Sequence, residues 1–509
     1  MLDLQPASFE EFRREAERGN VVPVVRTVLA DLQTPVGAFM RVAGDARYAC
    51  LLESVEGGER VARYSFIGAD PQMVVRGRGH QTIIERNGEL ETQEICATEF
   101  LREYFREKKL ARRAGLAPLA GGAVGYLAYD AARWFEPVLD QNKHEKDERD
   151  AHDNVSDDAV FMFYRTVLAF DRVRQQMEIT SVILTEEAGG SHARLRELYE
   201  GAVLETERIE QALLAGPPAQ VSRVSQRDGG NSIELTSNWT REGYENSVRV
   251  IKERIAAGDC YQTVISQRFD ARVTAAPIEI YRALRATNPS PYMYFLRLDQ
   301  ESIVGASPEM LVRCRGQRLD YTPIAGTSKR GSTEAEDWML GEEMRADEKE
   351  VAEHMMLVDL GRNDLGRVAD FGSVQVEDLM FIERYSHVQH LVTSLRARLD
   401  EKRDRFDALA SCFPAGTVTG APKLKAMQII SGLEPTARGV YAGAVCYLDY
   451  AENLDSCIAI RTIVLRDGQA SVQAGAGIVA DSVPEREYEE TVNKARALIR
   501  ALELAERGL

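Results

Sequence analysis

Residues 439–478 read GVYAGAVCYLDYAENLDSCIAIRTIVLRDGQASVQAGAGI. Three runs, 439–447, 456–465 and 470–474, are dense in Val, Ile, Tyr, Cys and Ala and are separated by polar breaks, the pattern of strands on a buried pleated surface. The break between the second and third is Asp467-Gly468, a two-residue hairpin turn in which both residues adopt positive φ. A hairpin pairs its strands antiparallel. The third run ends in Gly475-Ala476-Gly477-Ile478; its two glycines either let a ligand approach the backbone or mark a bulge. Arg461 lies inside the apolar run CIAIRTIVL, where a charge is either paired or aimed at a ligand. Asp481, Ser482 and Pro484 announce a helix, and that helix carries Glu487, Glu490 and Lys494.

Upstream, residues 347–367, DEKEVAEHMMLVDLGRNDLGR, repeat the same carboxylate spacing in Glu350 and Glu353. On a helix, residues three apart share a face, roughly 5–6 Å apart at Cβ. The turns that follow are apolar (Met355, Met356, Leu357, Val358, Leu360), so the spacing predicts a largely buried helix opened by two like charges, which repel. A hard divalent cation such as Mg²⁺, which takes oxygen ligands beside an anionic substrate, relieves that repulsion. The alternative is an ordinary Glu-rich helix start favoured by the helix dipole. Two such pairs on two helices flanking a glycine-rich strand end suit one shared cation. Around it the chain offers anion binders: Arg461 for bidentate carboxylate recognition, Tyr441 and Thr417 as hydroxyl donors, Lys494 for charge, and backbone N–H groups at Gly326, Thr327 and 475–477. His390 and Glu309 are candidate acids or bases, although an isolated His is more often structural.

The remainder reads as a mixed α/β (α+β) chain. Residues 48–53 and 63–68 are short strands, with Ser54 ending the first. Residues 121–130 are a buried glycine-rich strand, 140–158 a charged surface loop, and 161–170 and 177–184 further strands, before a helix from about 191 to 214. The stretch 216–231, GPPAQVSRVSQRDGGN, lacks periodicity and is the expected linker. It divides the chain into an N-terminal domain, 1–215, and a second, 232–509. Ser8-Phe9-Glu10-Glu11 reads as a helix capping box. With 509 residues the chain has ample core, and no apolar run is long enough to span a bilayer. The acidic N-terminus lacks a signal pattern, so the expected location is cytoplasmic, with no membrane contact. Seven cysteines without a C-x-x-C and a net charge of −17 point away from a zinc site, a disulfide framework and nucleic acid as a partner.

The motifs DxKExxEHxMLVDLxRNDLGR, PAGTxxGAPKxxAM, GxYxGAVCY, IAIRT and AGAGIVADSxPExEYEETxNKA resemble those of the chorismate-utilising enzymes, and among them the large subunits (component I) of the anthranilate synthases. The resemblance is dense over 240–505 and thinner over 25–180, through LLES, RYSFIG and GGAVGYLAYD. It implies two antiparallel sheets packed face to face with helices outside, and a smaller regulatory N-terminal domain. It implies a lyase, in the first committed step of tryptophan biosynthesis, that binds chorismate with Mg²⁺, adds ammonia at ring C2 as the C4 hydroxyl leaves, and eliminates pyruvate to give anthranilate. By motif, Glu353 and Glu490 are the leading Mg²⁺ ligands, and Glu350 and Glu487 ligate directly or through water. Gly326, Thr327, Thr417, Tyr441, Arg461, Gly475, Ala476, Gly477 and Lys494 hold the substrate, and His390 and Glu309 sit near the reacting ring. Water-adding relatives carry a basic Lys where this chain has Gln262, which favours an amine nucleophile. Aminodeoxychorismate synthases carry Lys at Ala325, which points away from amination at C4. LLES and NPSPYM imply a site for the feedback inhibitor tryptophan at Ser54, Pro291, Tyr292 and Met293. No G-x-C-x-G segment is present, so ammonia is expected from a separate glutamine amidotransferase subunit. An aminodeoxychorismate synthase, a phenazine-type synthase that stops at the aminated intermediate, and a non-catalytic tryptophan-binding regulator are the alternatives.

Overall fold

The computed structural model describes residues 4–44, 46–55, 63–139, 157–215, 233–385 and 388–508, apart from the side chain of Thr327. The expected linker at 216–231 and nearly all of the charged loop at 140–158 lie outside the described residues. Two antiparallel sheets, of 13 and 12 strands among the described residues, face each other, and helices cover both outer faces. The strand Tyr292–Leu298 shows why. Side chains alternate along a strand: Tyr294, Leu296 and Leu298 enter the apolar layer between the sheets, while Met293 and Phe295 enter the layer beneath the helices. Both faces are therefore apolar, and each is covered.

Helices Pro35–Val42, His192–Leu214, Pro277–Thr287 and Pro484–Arg507 cover the first sheet. Ala97–Arg106, Glu348–Gly366 and Arg405–Cys412 cover the second. None of the described helices is long and apolar enough to cross a membrane. Local signals set several element ends. Ser8 caps its helix through the Glu11 N–H, and Asp347 caps Glu348–Gly366 through the N–H groups of Lys349 and Glu350. The Asp467-Gly468 turn has φ of 51° and 71°, as a primed hairpin turn requires.

Two expectations are corrected. The run 456–465 is not one strand but two, Leu454–Ile458 in the second sheet and Thr462–Arg466 in the first. The chain crosses between them at Arg461, which takes φ of 51°. The helix Glu348–Gly366 is half-buried rather than largely buried: His354, Leu357, Val358 and Leu365 face inward, and Glu353 is exposed. The two halves of the sequence do not build separate sheets. Tyr48–Glu53 pairs with Tyr292–Leu298, and Gly122–Leu127 with Ala444–Asp449, so each sheet runs across both.

Candidate active site

One strand end from each sheet and one helix from each outer layer supply the candidate residues. On the second sheet, His390 Nδ1 lies 2.9 Å from the Gly326 carbonyl oxygen. A carbonyl only accepts, so Nδ1 carries the proton and Nε2 is the basic nitrogen. Gly326 has φ of 64°, and a Cβ there would stand 3.0 Å from Glu350 Oε2. Glycine thus lets the carboxylate of Glu350 close on the backbone that orients His390. Burial holds the His390 imidazole below its ordinary range, with the Arg461 charge acting the same way. Thr327 stands opposite His390 in the ladder.

On the first sheet, Gly475 and Gly477 lie near the end of strand Gln469–Ile478, opposite Ser266 and Val264. Ser266 N–H goes to Glu434 and Val264 N–H to the Thr419 carbonyl, so both residues turn away from the glycines. Gly475 and Gly477 accordingly direct their own amides toward the other edge, where pairing with Thr462–Arg466 stops at Val472. Lys494 confirms the direction by donating to the Gly475 carbonyl at 3.0 Å; it also pairs with Glu490 at 2.8 Å. A Cβ on Gly475 would stand 2.7 Å from the Tyr441 hydroxyl, and one on Gly477 2.6 Å from Gln262 Nε2. Ala476, between them, turns its side chain into an apolar cluster and faces Ile265 in the ladder, so its amide belongs to the sheet.

Glu309 follows the strand Glu301–Ser307 and is 8 % exposed. Burial pushes its carboxyl up to about 8, against the easing effect of the neighbouring Thr417 hydroxyl and the Lys494 charge. Thr417 Oγ1 is itself buried, without a hydrogen bond of normal geometry among the described residues. Arg461 has no carboxylate partner among the described residues, and burial lowers its guanidinium. It lines one open cleft with Lys494, Glu490 and Asn493. The groups face one another: Lys494 acts on Glu309, Arg461 on His390, and Lys349 of one helix on Glu487 of the other.

The four carboxylates do not gather as expected. Mg²⁺ needs only one or two protein carboxylates beside water and substrate oxygens, and among the described residues no three His, Cys, Asp or Glu groups form a tighter cluster. They remain two pairs on two facing helices. Burial raises Glu350, with Glu353 and Asp347 adding to it, and burial raises Glu487, with Glu490 adding. Like charges so placed fit a shared cation.

At the expected inhibitor site, Glu53 stands opposite Met293 in adjacent strands, and Val55 N–H donates to the Ser290 carbonyl at 3.3 Å. The Glu53 carboxylate accepts from the Tyr281 hydroxyl at 2.6 Å and from Arg285 at 3.0 Å, with Arg172 at 3.4 Å. Ser54 Oγ is buried and unpartnered among the described residues, and Pro291 is buried beside it. The Tyr292 hydroxyl is already engaged between the sheets, with Asp455 and Arg313.

Two features escape the sequence. Arg438, fully buried, pairs with Glu434 at 2.7 Å and donates to the carbonyls of Val418 and Val264, tying the Thr417 turn to the strand behind the glycines. Its only signal is an i,i+4 Glu–Arg spacing, common on any exposed helix. His354 is wholly buried, and burial pushes it down to about 4.

Residues 48–500 match the family model described as chorismate binding enzyme. The chain is 45 % identical over 501 residues to anthranilate synthase component 1 of Acetivibrio thermocellus, covering 98 % of each, and 43 % identical over 507 residues to that of Aquifex aeolicus, again 98 % of each. Its fold matches the crystal structure of anthranilate synthase component I from Streptococcus pneumoniae with a TM-score of 0.73 at 32 % identity, over 93 % of this chain and 99 % of that one. The sheets and the sequence match are those of a chorismate-binding enzyme. Within that class the chain belongs to the anthranilate synthase component I family.

Proposed function

We propose that the protein converts chorismate and ammonia to anthranilate, pyruvate and water, as the large subunit of an anthranilate synthase in the tryptophan pathway. The observation that carries this reading is the open edge at Gly475 and Gly477, where two outward amides stand with Arg461, which has no carboxylate partner among the described residues, and the Tyr441 hydroxyl. Such a set recognises the carboxylates of a dianionic substrate. Mg²⁺, held by Glu353 and Glu490 with Glu350 and Glu487 beside them, would neutralise a ring carboxylate and relieve the repulsion within each pair.

Ammonia forms a C–N bond at ring C2 as the C4 C–O bond breaks. Glu309, protonated at neutral pH, donates the proton with which the hydroxyl leaves as water, and Thr417 orients it. His390, neutral and held by the Gly326 carbonyl, accepts the C2 proton through Nε2. The electron pair so released makes the ring aromatic and expels the enolpyruvyl group as the enolate of pyruvate, which takes up the proton gathered by His390, while the ammonium at C2 returns a proton to Glu309. Gln262 against Gly477 cannot act as a base toward water, which favours the amine nucleophile. A glutamine amidotransferase subunit supplies ammonia, and tryptophan binds at Ser54, Pro291, Tyr292 and Met293. We place regulation in the N-terminal part, 1–215, and catalysis in 232–509, as a division of roles across two shared sheets.

The test is a product assay with chorismate, ammonium and Mg²⁺. Anthranilate and pyruvate in equal amounts, dependent on Mg²⁺ and suppressed by tryptophan, are expected. Formation of 4-amino-4-deoxychorismate, or of an aminated product without pyruvate, rules the reading out.

A further inference from the structure

We propose that His354 is a positioning residue: with Thr393 it locks the helix bearing Glu350 and Glu353 in register against the strand bearing His390. The inference rests on the role given above to those carboxylates. His354 is 0 % exposed on the helix Glu348–Gly366. Its Nε2 lies 2.6 Å from Oγ1 of Thr393, equally buried on the strand Val388–Arg398 and three residues beyond His390. The same Oγ1 accepts the Met380 N–H at 3.0 Å, so the contact is fixed from a second strand. Nδ1 has no partner among the described residues, and the bond to Thr393 therefore sets the ring orientation alone.

Leu357, Val358 and Leu365, the helix's other main inward contacts, are apolar and resist sliding weakly, because apolar packing is not directional. Among the described residues the His354–Thr393 pair is the one hydrogen bond between this helix and the sheet. The consequence follows from helix geometry. A slip of one residue turns a helix by about 100° and moves it about 1.5 Å, which would carry Glu350 off Gly326 and away from His390 together. A buried group behind charged ligands that fixes their placement changes cation affinity by about 10- to 100-fold when removed.

The test uses the full chain with His354→Leu, His354→Gln and Thr393→Val. Mg²⁺ is titrated against melting temperature without substrate, and kcat and chorismate KM are measured with ammonium. We expect His354→Leu and Thr393→Val to raise the Mg²⁺ midpoint at least about tenfold and to lower kcat more than they change KM. His354→Gln, which keeps a polar group at similar reach, recovers much of both. A lower melting temperature with midpoint and kcat unchanged would make His354 merely structural and overturn the proposal. If His354→Leu does not fold, Thr393→Val decides alone. A wild-type protein whose melting temperature ignores Mg²⁺ removes the carboxylate reading as well; failure confined to the variants removes only this one.

Discussion

Glu309 and Arg461 illustrate how position rather than residue type sets the chemistry of a side chain. A carboxyl in a dry pocket keeps its proton, and Glu309 does so up to about 8. The folded protein thus binds this proton more tightly than the unfolded chain. The stability it contributes is complete below the ordinary value of 4.5 and is lost as pH rises through about 8. Glu309→Gln should abolish the proton donation, cutting kcat by about 10²–10⁴, and remove this pH dependence. Relative to the variant, the wild type should lose about 1.4 kcal/mol per pH unit across that window, read by denaturant melts at pH 5 to 9. A variant that tracks the wild type at every pH would contradict the raised carboxyl. Arg461 was visible in the sequence as a charge within an apolar run. Its place at the crossing between sheets was not, because nothing in CIAIRTIVL marks the positive φ at which one run becomes two strands.

Among the elements, the helix Glu348–Gly366 depends on close approach. A Cβ at Gly361 would stand 2.6 Å from the Tyr321 ring and 2.9 Å from Leu395. Gly361→Ala should therefore destabilise by about 1–3 kcal/mol despite alanine's better helix propensity, and should lower activity by displacing Glu350; an unchanged melting temperature would count against this packing. Hairpins and caps were legible from local chemistry, as at Asp467-Gly468 and Ser8. The outward amides of Gly475 and Gly477 were not. Their direction is set by strand Gln262–Arg272, whose N–H groups are drawn off by Glu434 and Thr419, far away in sequence. The buried Glu434–Arg438 pair was hidden for the opposite reason, looking like a surface ion pair.

Across the whole molecule, both sheets take strands from both halves of the chain, so neither half can close its own core. Expressed separately, 1–215 and 233–509 should each fail to give a cooperative melt, and co-expression should restore one. A cooperatively folded 233–509 fragment would show the seams to be dispensable. Glu53 joins those halves, since Arg172 and Arg285, on either side of the seam, meet on its carboxylate. Removing one partner of a buried ionic network leaves the others uncompensated. Glu53→Ala should cost about 3–5 kcal/mol and raise the tryptophan concentration needed for inhibition; a melting temperature within a degree of the wild type would refute it.

The hairpin of Tyr292–Leu298 and Glu301–Ser307 runs out and back, so that Tyr292 lies directly across from Ser307. Ser307 Oγ in turn accepts the Glu309 N–H. Pro291 and Met293 thus flank the Tyr292–Ser307 rung, and Ser307 in turn holds the residue assigned to protonate the departing hydroxyl. If tryptophan binds beside Ser54 as proposed, a tilt of that strand end would reach the acid through the Ser307 hydroxyl alone, without any long relay through the molecule.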